Sequence, residues 1–313
     1  MPKEIIIGSR DSDLAMWQSR WVAQALRRAH PKQAIRITGM KTKGDHILEV
    51  ALAKIGDKGL FTKELEVALL SDTIDMAVHS MKDLPTGLPD GLVIGAVCQR
   101  EQPGDVLISR DGANLDNLRQ GARIGTSSLR RRAQLLHYRP DLQMVDIRGN
   151  LNTRLRKFKE QELDAIVLAY AGIKRLGFED MISQYIPYEI CLPAVGQGSL
   201  GIEVRANDGA IRELIAAVDH APSRTAIQAE RAFLKRLEGG CQVPIGALGR
   251  VEDGTLQLEG IVAGLDGTNA VRHAVTGPAD DAAGLGNRLA EILLDQGAGD
   301  ILRRARQEYG IND

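Results

Sequence analysis

Positively charged and hydroxyl side chains recur where strand-like runs of this sequence give way to helix-like runs. Arg10 and Ser12 follow the apolar run 5–7, and a helical pattern begins at Leu14. Free backbone N–H groups at a helix N-terminus attract anions. This turn is therefore either an anion-binding site or the ordinary start of a capped helix with a surface arginine.

The same arrangement returns later in the chain. After the strand-like run 123–125, a hydroxyl-rich turn leads into a helix that opens with arginines. The side chains concerned are Thr126, Ser127, Ser128, Arg130 and Arg131. Arginines in the first helical turn oppose the helix dipole, so we interpret them as ligand-binding groups.

Further basic residues occupy comparable positions. Arg148 and Gly149 follow the strand-like run 144–147, Arg154 lies one turn into the next helix, and Arg175 lies in the stretch 172–177 after the buried strand-like run 164–169. Guanidinium groups pair bidentately with carboxylates and phosphates. Several of them around one cleft predict a ligand that carries several such anionic groups.

Lys82 and Asp83 directly follow the strand-like run 75–79. Open α/β sheets bind their ligands beyond the carboxyl ends of the strands. The two residues are therefore either an ordinary surface pair, the commoner case, or part of a functional site. His79, just before them, is predicted to be a structural residue rather than a base.

Cys241 lies on a glycine-rich turn at the end of a helical pattern. Gly239 and Gly240 stop the helix and leave room for a bulky group close to the backbone. The thiol is either a small buried hydrophobe or an attachment point. The lysine- and glycine-rich segment 42–60 is either a solvated loop or a mobile lid over an acidic ligand.

Composition restricts the classes of protein to which the chain can belong. Its 313 residues are 43% hydrophobic and 26% charged, as is usual for globular domains, and the net charge of -1 and 4% aromatic content argue against a nucleic-acid binder. No apolar run is long enough to span a bilayer, and Met1 leads almost directly into a strand without a targeting segment. Three widely spaced cysteines favour neither disulfides nor a metal site. We expect a cytoplasmic monomer without membrane or nucleic-acid partners.

Two series of alternating strands and helices indicate an α/β protein with two lobes and a cleft between them. We predict a discontinuous first lobe (1–98 and 198–218), a second lobe (103–193) and a small α+β third domain (221–313). Alternating strand patterns with turns at Asp-Gly pairs predict a three-stranded sheet in the third domain. The helical pattern 285–293 is interpreted as its closing helix.

Taken in order, these motifs resemble those of the porphobilinogen deaminase family over nearly the full chain. The matching strings are SDLAMWQ from Ser12, GLFTKELE from Gly59, VHSMKDLP from Val78, IGTSSLRR from Ile124, RGN from Arg148, PAVGQG from Pro193 and LEGGCQVPIG from Leu237. Each string alone is weak, but the whole set in this order is specific.

The resemblance implies two periplasmic-binding-protein-like lobes and a cofactor-attachment domain. It implies an enzyme that joins four porphobilinogen molecules head to tail, releases ammonia at each step and frees hydroxymethylbilane by hydrolysis. The implied cofactor is a dipyrromethane joined to Cys241 through a thioether. Tetrapyrrole biosynthesis is the implied setting, and porphobilinogen is the implied small-molecule partner.

The resemblance also assigns roles to residues. Asp83 matches the family's catalytic aspartate. The residues matched to cofactor binding are Cys241, Lys82, Thr126, Ser127, Ser128, Arg130, Arg131, Arg148 and Gly149. The residues matched to substrate binding are Arg10, Ser12, Phe61, Arg154, Arg175 and Gln197.

The residues agree with the chemistry that the resemblance implies. Loss of ammonia from an aminomethylpyrrole leaves a cationic azafulvene, and the carbon of the next pyrrole is the nucleophile. The protein must therefore supply a carboxylate that stabilises positive charge and a group that handles the proton. One aspartate among many arginines suits this task, because the guanidinium charges favour its ionised form.

Three positions depart from the family's pattern. Asp13 stands where the family often has proline, and Gln102 and Gly104 alter the crossover between the lobes. These positions bear on the hinge and the first helix cap rather than on the reaction.

Two other classes of protein remain as alternatives. They are a non-catalytic two-lobed binding protein for a polycarboxylate ligand and a nucleic-acid binder that uses the arginine clusters.

Overall fold

The computed structural model describes residues 4–42, 61–237 and 243–309. Within these ranges the chain forms two five-stranded mixed sheets and one three-stranded antiparallel sheet. Apart from Thr42, the predicted lid 42–60 lies outside the described residues, and so does Cys241. The predicted fold class, α/β with two lobes and a small third unit on a three-stranded sheet, is confirmed.

The first sheet consists of β1 (Ile5–Arg10), β2 (Ile35–Met40), β3 (Met76–Ser80), β4 (Leu92–Val97) and β10 (Leu200–Arg205). Their order is β2-β1-β3-β10-β4, with β10 antiparallel to both of its neighbours. Because β1 and β3 are parallel neighbours, Arg10 and the residues after Ser80 emerge at the same edge. This shared edge brings two of the predicted basic turns together.

Three helices accompany this sheet: α1 (Asp13–Ala29), α2 (Lys63–Leu70) and α6 (Gly209–Ile215). Helix α1 begins where the Ser12 side chain accepts a hydrogen bond from the Ala15 backbone N–H. Its buried face packs against the strands and belongs to the first lobe's apolar core. The core residues that α1 contributes are Val22, Ala23 and Leu26.

The second sheet repeats the architecture of the first. It consists of β5 (Asp105–Ser109), β6 (Arg123–Gly125), β7 (Gln143–Val145), β8 (Ala165–Ala169) and β9 (Gln184–Tyr185). Their order is β7-β6-β8-β5-β9, with β5 antiparallel to both of its neighbours. In each sheet, the antiparallel strand is the one that the chain enters on arriving from the other sheet: β5 in the second sheet and β10 in the first.

The helices of the second lobe are α3 (Leu129–Tyr138), α4 (Leu151–Glu160) and α5 (Tyr170–Arg175). Ser128 and Asn150 cap α3 and α4, each accepting a backbone N–H in the first turn. The hydroxyl-rich turn predicted from the sequence therefore begins a helix as expected.

The third sheet is an antiparallel meander of β11 (Ile245–Glu252), β12 (Thr255–Ala263) and β13 (Ala270–Pro278). The Asp-Gly turn between β11 and β12 forms as predicted: Asp253 and Gly254 both have positive φ, 47° and 74°. This geometry is typical of a tight hairpin turn.

Helices α7 (Ala221–Arg236), α8 (Ala282–Asp295) and α9 (Ala298–Tyr309) complete the third unit. Phe233, Leu285, Leu289 and other apolar residues of these helices form a core with the sheet. No helix among the described residues is long and apolar enough to cross a membrane.

Two sequence predictions differ from the structure in detail. The pattern 285–293 is not the closing helix, because α9 follows it after a short turn at Gly297, whose φ is +97°. The strand predicted over 144–147 ends at Val145, since the chain must already turn there towards Arg148. Short 3-10 helices also occur, at Met81–Asp83, Glu179–Met181, Ala216–Val218 and Ala279–Asp281.

Candidate active site

Lys82 and Asp83 lie in a 3-10 turn immediately beyond the carboxyl end of β3. The Met81 N–H donates to Ser199 O at 3.0 Å and the Leu84 N–H donates to Met81 O at 3.3 Å, so both ends of the turn are held. Asp83 is exposed and Lys82 partly exposed. Desolvation of the ammonium group lowers the pKa of Lys82 to about 8, against the opposing effect of Asp83.

The buried carboxylate of Asp105 binds both of the predicted arginines in the first turn of α3. Arg130 Nη1 lies 2.7 Å from Asp105 Oδ2, and Arg131 Nη2 lies 2.7 Å from Asp105 Oδ1. The Asp105 side chain is fully buried and both arginines are almost so. Burial alone would raise the pKa of Asp105, but the two guanidinium charges outweigh it and hold that pKa well below its usual range.

Gln197 connects this buried cluster to the turn that carries Asp83. Its Nε2 donates to Asp105 Oδ1 at 2.9 Å and to Pro103 O at 2.6 Å. Its Oε1 accepts a hydrogen bond from Lys82 Nζ at 3.4 Å. A single chain of polar contacts therefore runs from Lys82 in the first lobe to Arg130 and Arg131 in the second.

The hydroxyls of the turn before α3 bond mainly to the protein itself. Ser127 Oγ donates to Ile147 O at 2.9 Å, and Thr126 Oγ1 accepts the Ser128 N–H at 3.3 Å. Ser128 Oγ accepts the Arg131 N–H at 3.5 Å as the helix cap. Ser127 and Ser128 are partly exposed, whereas Thr126 is buried. These bonds fix the turn that presents the α3 N-terminus.

Arg148, Gly149 and Arg154 form the next corner of the site. Gly149 has a φ of +114°, and a Cβ there would lie 2.5 Å from Thr153 Cγ2, so only glycine fits. Its carbonyl accepts a hydrogen bond from Arg154 Nε at 2.8 Å. Burial, helped by the charges of Arg131 and Arg148, lowers the pKa of Arg154 to about 10, against the opposing effect of Asp83.

Arg10 and Phe61 meet at the first-lobe edge of the site. The Arg10 guanidinium carbon lies 4.3 Å from the centroid of the Phe61 ring, within range of a cation–π contact. Ser12 caps α1 and is partly exposed. The stacked ring holds the arginine at the end of β1.

Arg175 contacts the return crossover, the segment between β9 and β10 that leads the chain from the second sheet back to the first. Its Nη2 donates to Gly198 O at 2.6 Å, and its guanidinium carbon lies 5.9 Å from the Trp17 ring centroid. Burial lowers its pKa to about 10. The contacts place Arg175 against the crossover, next to Gln197.

The two crossovers are joined by residues that the sequence analysis did not single out. Glu230 of α7 is fully buried; its Oε1 lies 2.5 Å from Arg100 Nη1, and its Oε2 accepts the Gly196 N–H at 2.8 Å. Arg100 also donates to Gln197 O at 2.8 Å. The third unit is thereby anchored to the hinge. Only long-range pairing reveals these roles, since no local motif marks them.

A buried contact between a histidine and a carboxyl group lies under the strand that leads to Asp83. His79 Nε2 is 3.0 Å from Glu203 Oε2, and both side chains are almost completely buried. Glu66 of α2 adds its carboxyl group nearby, and burial raises the pKa of Glu66. His79 is therefore a structural residue, as the sequence predicted.

The charged groups that influence one another around Lys82 carry an excess of positive charge. Five of these groups are cationic: Lys82, Arg130, Arg131, Arg148 and Arg154. The carboxylates among them are Asp83 and Asp105, and Asp105 is already shared by Arg130 and Arg131. A site of this kind attracts a ligand with several carboxylates, and its exposed Asp83 can stabilise a cation.

Among the residues that the structure describes, no group of three or more His, Cys, Asp or Glu side chains is arranged to hold a metal ion. Cys98 and Cys191 are buried and free. Burial raises the pKa of each thiol to about 12, so both are poor nucleophiles.

Comparison with solved structures finds distant likenesses to two-lobed periplasmic proteins. The periplasmic VFT2 domain of BvgS from Bordetella pertussis aligns with a TM-score of 0.42 and 14% identity, covering 68% of this chain and 86% of that one. The periplasmic aliphatic sulphonate binding protein SsuA from Escherichia coli aligns with a TM-score of 0.40 and 12% identity, covering 76% and 71%.

Sequence comparison is far more specific. Residues 5–213 match the family described as "Porphobilinogen deaminase, dipyromethane cofactor binding domain", and residues 224–295 match "Porphobilinogen deaminase, C-terminal domain". The porphobilinogen deaminase of Pelotomaculum thermopropionicum is 64% identical over 308 residues, covering 98% of this chain and 99% of that protein. The porphobilinogen deaminase of Geobacter metallireducens is 52% identical over 306 residues, covering 98% and 96%. The chain belongs to the porphobilinogen deaminase family.

Proposed function

We propose that this protein is a hydroxymethylbilane synthase. It condenses four porphobilinogen molecules head to tail on a covalent dipyrromethane primer, releases ammonia at each coupling and hydrolyses the product free. The observation that carries the proposal is one exposed carboxylate, Asp83, beside a cluster of cations in which Arg130 and Arg131 are buried and Lys82 and Arg154 are partly buried. Family membership supplies the identity of the substrate.

The residues of the cleft fit a dipyrromethane group. When bound, this group supplies a pyrrole carbon nucleophile and carboxylate side chains. Arg154 is partly buried, and the like charges of Arg131 and Arg148 help to lower its pKa. Such a cluster is stabilised when carboxylates enter it, so these guanidinium groups would hold the acidic side chains in place.

Asp83 is the proposed catalytic residue. Its carboxylate is exposed at the end of β3 and lies in the field of Lys82 and Arg154. In this position it accepts hydrogen bonds from pyrrole N–H groups and stabilises the positive charge that develops as ammonia departs. It also accepts the proton that the newly coupled pyrrole ring loses.

We divide the other predicted residues between two tasks. Those that would bind carboxylates of primer or substrate are Lys82, Ser127, Ser128, Arg131, Arg148, Arg154, Arg10 and Ser12. Phe61 would contact substrate beside Arg10. Residues that would support the site from behind are Thr126, Arg130, Gly149, Arg175 and Gln197. The burial of Arg130 and Gln197 against Asp105 supports this division.

Three further assignments belong to the same proposal. The first lobe comprises 1–98 and 198–218, the second 103–193, and the cofactor-attachment domain 221–313 with the thioether at Cys241. The sheets β1–β4 with β10, β5–β9 and β11–β13 fall within these limits. We also propose a monomeric, cytoplasmic enzyme that acts on a small-molecule substrate alone.

The intact mass of the purified protein tests the proposal and separates it from a non-catalytic binding protein. We expect a mass above that of the sequence by one dipyrromethane, lost in Cys241→Ser and kept in Cys98→Ser and Cys191→Ser. The latter two thiols are buried and hard to ionise. Incubation with porphobilinogen should release four ammonia molecules per bilane. A mass equal to that of the sequence, with no ammonia released, would contradict the proposal.

A further inference from the structure

Arg231 of α7 binds the loop that follows Asp83. Its Nη2 donates to Pro85 O at 2.7 Å and to Thr86 O at 3.3 Å, and its Nη1 donates to Leu84 O at 3.3 Å. Three successive carbonyl groups directly after the exposed carboxylate are thus held by one side chain. A planar guanidinium fork suits such a row of acceptors, whereas a lysine offers one compact group.

The same helix also packs against the turn itself. Ile227, one helical turn before Arg231, is buried in a cluster with Met81, Leu84 and Val97. Met81 and Leu84 flank the Lys82-Asp83 pair and close the 3-10 turn by their backbone hydrogen bond. Helix α7 therefore supports the turn with an apolar contact and fixes the following loop with a polar one.

The neighbouring residue on α7 serves a different partner. Glu230 binds Arg100 and the Gly196 N–H in the two crossovers, whereas Arg231 faces the loop 84–86. The helix thus divides its contacts between the hinge and the Asp83 turn. The helix ends at Arg236, five residues before Cys241.

We propose that Arg231 is a positioning residue for Asp83. By holding the carbonyls of residues 84–86 it sets the direction in which the Asp83 carboxylate points, so that the unit bearing the cofactor attachment orients the catalytic group of the first lobe. This inference rests on the proposed function of Asp83. Under this proposal, the orientation of Asp83 depends on a contact from α7 and not on Asp83 and Lys82 alone.

The test compares Arg231→Met with a matched control on the same helix. Arg236→Met also removes an arginine of α7, but its partner Glu291 is an exposed residue on α8. We expect Arg231→Met to lower kcat by about 10- to 100-fold, as small misplacements of catalytic groups do, with the KM for porphobilinogen and the covalent mass excess unchanged. Arg231→Lys should recover part of the loss. Arg236→Met should resemble the wild type.

Two further measurements make the test specific to Asp83. In an Asp83→Asn background, Arg231→Met should have almost no additional effect on kcat, because the carboxylate that Arg231 would orient has already been removed. Hydrogen exchange in a peptide covering residues 84–92 should be faster in Arg231→Met than in Arg236→Met, whether or not either protein is active.

Three results would overturn the proposal. One is a kcat for Arg231→Met equal to that of Arg236→Met. Another is a full multiplicative loss when Arg231→Met is combined with Asp83→Asn. The third is unchanged exchange of the 84–92 peptide. If Arg231→Met does not fold, the same comparisons apply to Arg231→Lys. A wild-type protein that forms no bilane would instead refute the proposed function, and the exchange measurement would still decide the role of Arg231.

Discussion

Replacing Asp105 by asparagine should destabilise the protein far more than loss of a surface carboxylate. The Asp105 side chain is completely buried and binds two arginines at 2.7 Å each, while the arginine side chains are only 4% and 5% exposed. Asp105→Asn keeps the size but leaves two buried guanidinium charges uncompensated. Arg130 would retain Leu192 O and Arg131 would retain Val167 O as acceptors, and neither carbonyl carries a charge.

The magnitude follows from the burial of this cluster. Removing one partner of a buried ion pair costs about 3–5 kcal/mol, and here a single carboxylate serves two arginines. Glu160→Gln is the matched control in the same lobe, because it removes one charge from the exposed i,i+4 pair with Arg156. Exposed helical pairs of that kind contribute about 0.3–0.5 kcal/mol.

Urea unfolding followed by circular dichroism measures both variants, with the slope of the transition checked against the wild type. We expect a loss of about 3 kcal/mol or more in the free energy of unfolding for Asp105→Asn and almost none for Glu160→Gln. Similar midpoints for the two variants would refute the claim that Asp105 neutralises the arginines.

Acidification provides a second check on the same carboxylate. The pKa of Asp105 is lower in the folded state than the unfolded value of about 3.9. Its contribution to stability is therefore fully present above about pH 4 and is lost as the pH falls through the folded-state pKa. Asp105→Asn should show a weaker loss of stability over that acidic range than the wild type, and an identical acid profile would count against the assignment.

Two further outcomes are expected at the edge of the site. The pKa of Lys82 is lowered to about 8. Acetylation of Lys82, mapped by mass spectrometry, should therefore increase with pH with a midpoint near pH 8. A midpoint near the model-peptide value of about 10.4 would contradict this. Gly149→Ala should raise the KM for porphobilinogen by displacing the carbonyl that binds Arg154. Gly112→Ala is the control, because Gly112 has a φ of +70° and no atom lies within 4 Å of the added Cβ. This variant should lose only stability, by about 1 kcal/mol. Equal KM values for Gly149→Ala and Gly112→Ala would contradict the reasoning.

The sequence predicted those parts of the site that depend on local structure. The turns after β1 and β6 were expected from a strand-like run followed by a helix start, and Ser12 and Ser128 do cap their helices. The turn after β3 was expected from the end of a strand-like run alone. Hydrophobic periodicity and turn residues act over a few positions, so a single sequence carries them. That these turns share one cleft was predicted from the two series of strands and helices, and for all of them together it stays a prediction.

The supporting contacts could not be predicted in this way. Asp105 lies 25 and 26 positions from the arginines that it binds, and Arg231 lies about 145 positions from the loop that it holds. Such pairings arise only when the lobes and the third unit come together, and no local pattern marks them. Arg130 illustrates the limit. Its place in the first helical turn predicted a ligand-binding group, and that stays a prediction, but nothing in the sequence pointed to its buried partner Asp105.

The most direct test of the account is the single-turnover rate of Asp83→Asn with the primer attached, measured beside the unfolding midpoint. Asparagine keeps the size of the side chain but removes the charge and the capacity to accept a proton. Because Asp83 is exposed, we expect an unchanged midpoint and a rate lowered by roughly a hundredfold or more, as for loss of a general acid–base group. Asp83→Glu should fall between Asp83→Asn and the wild type. A near-wild-type rate with a lowered midpoint would show that Asp83 serves the fold and not the reaction.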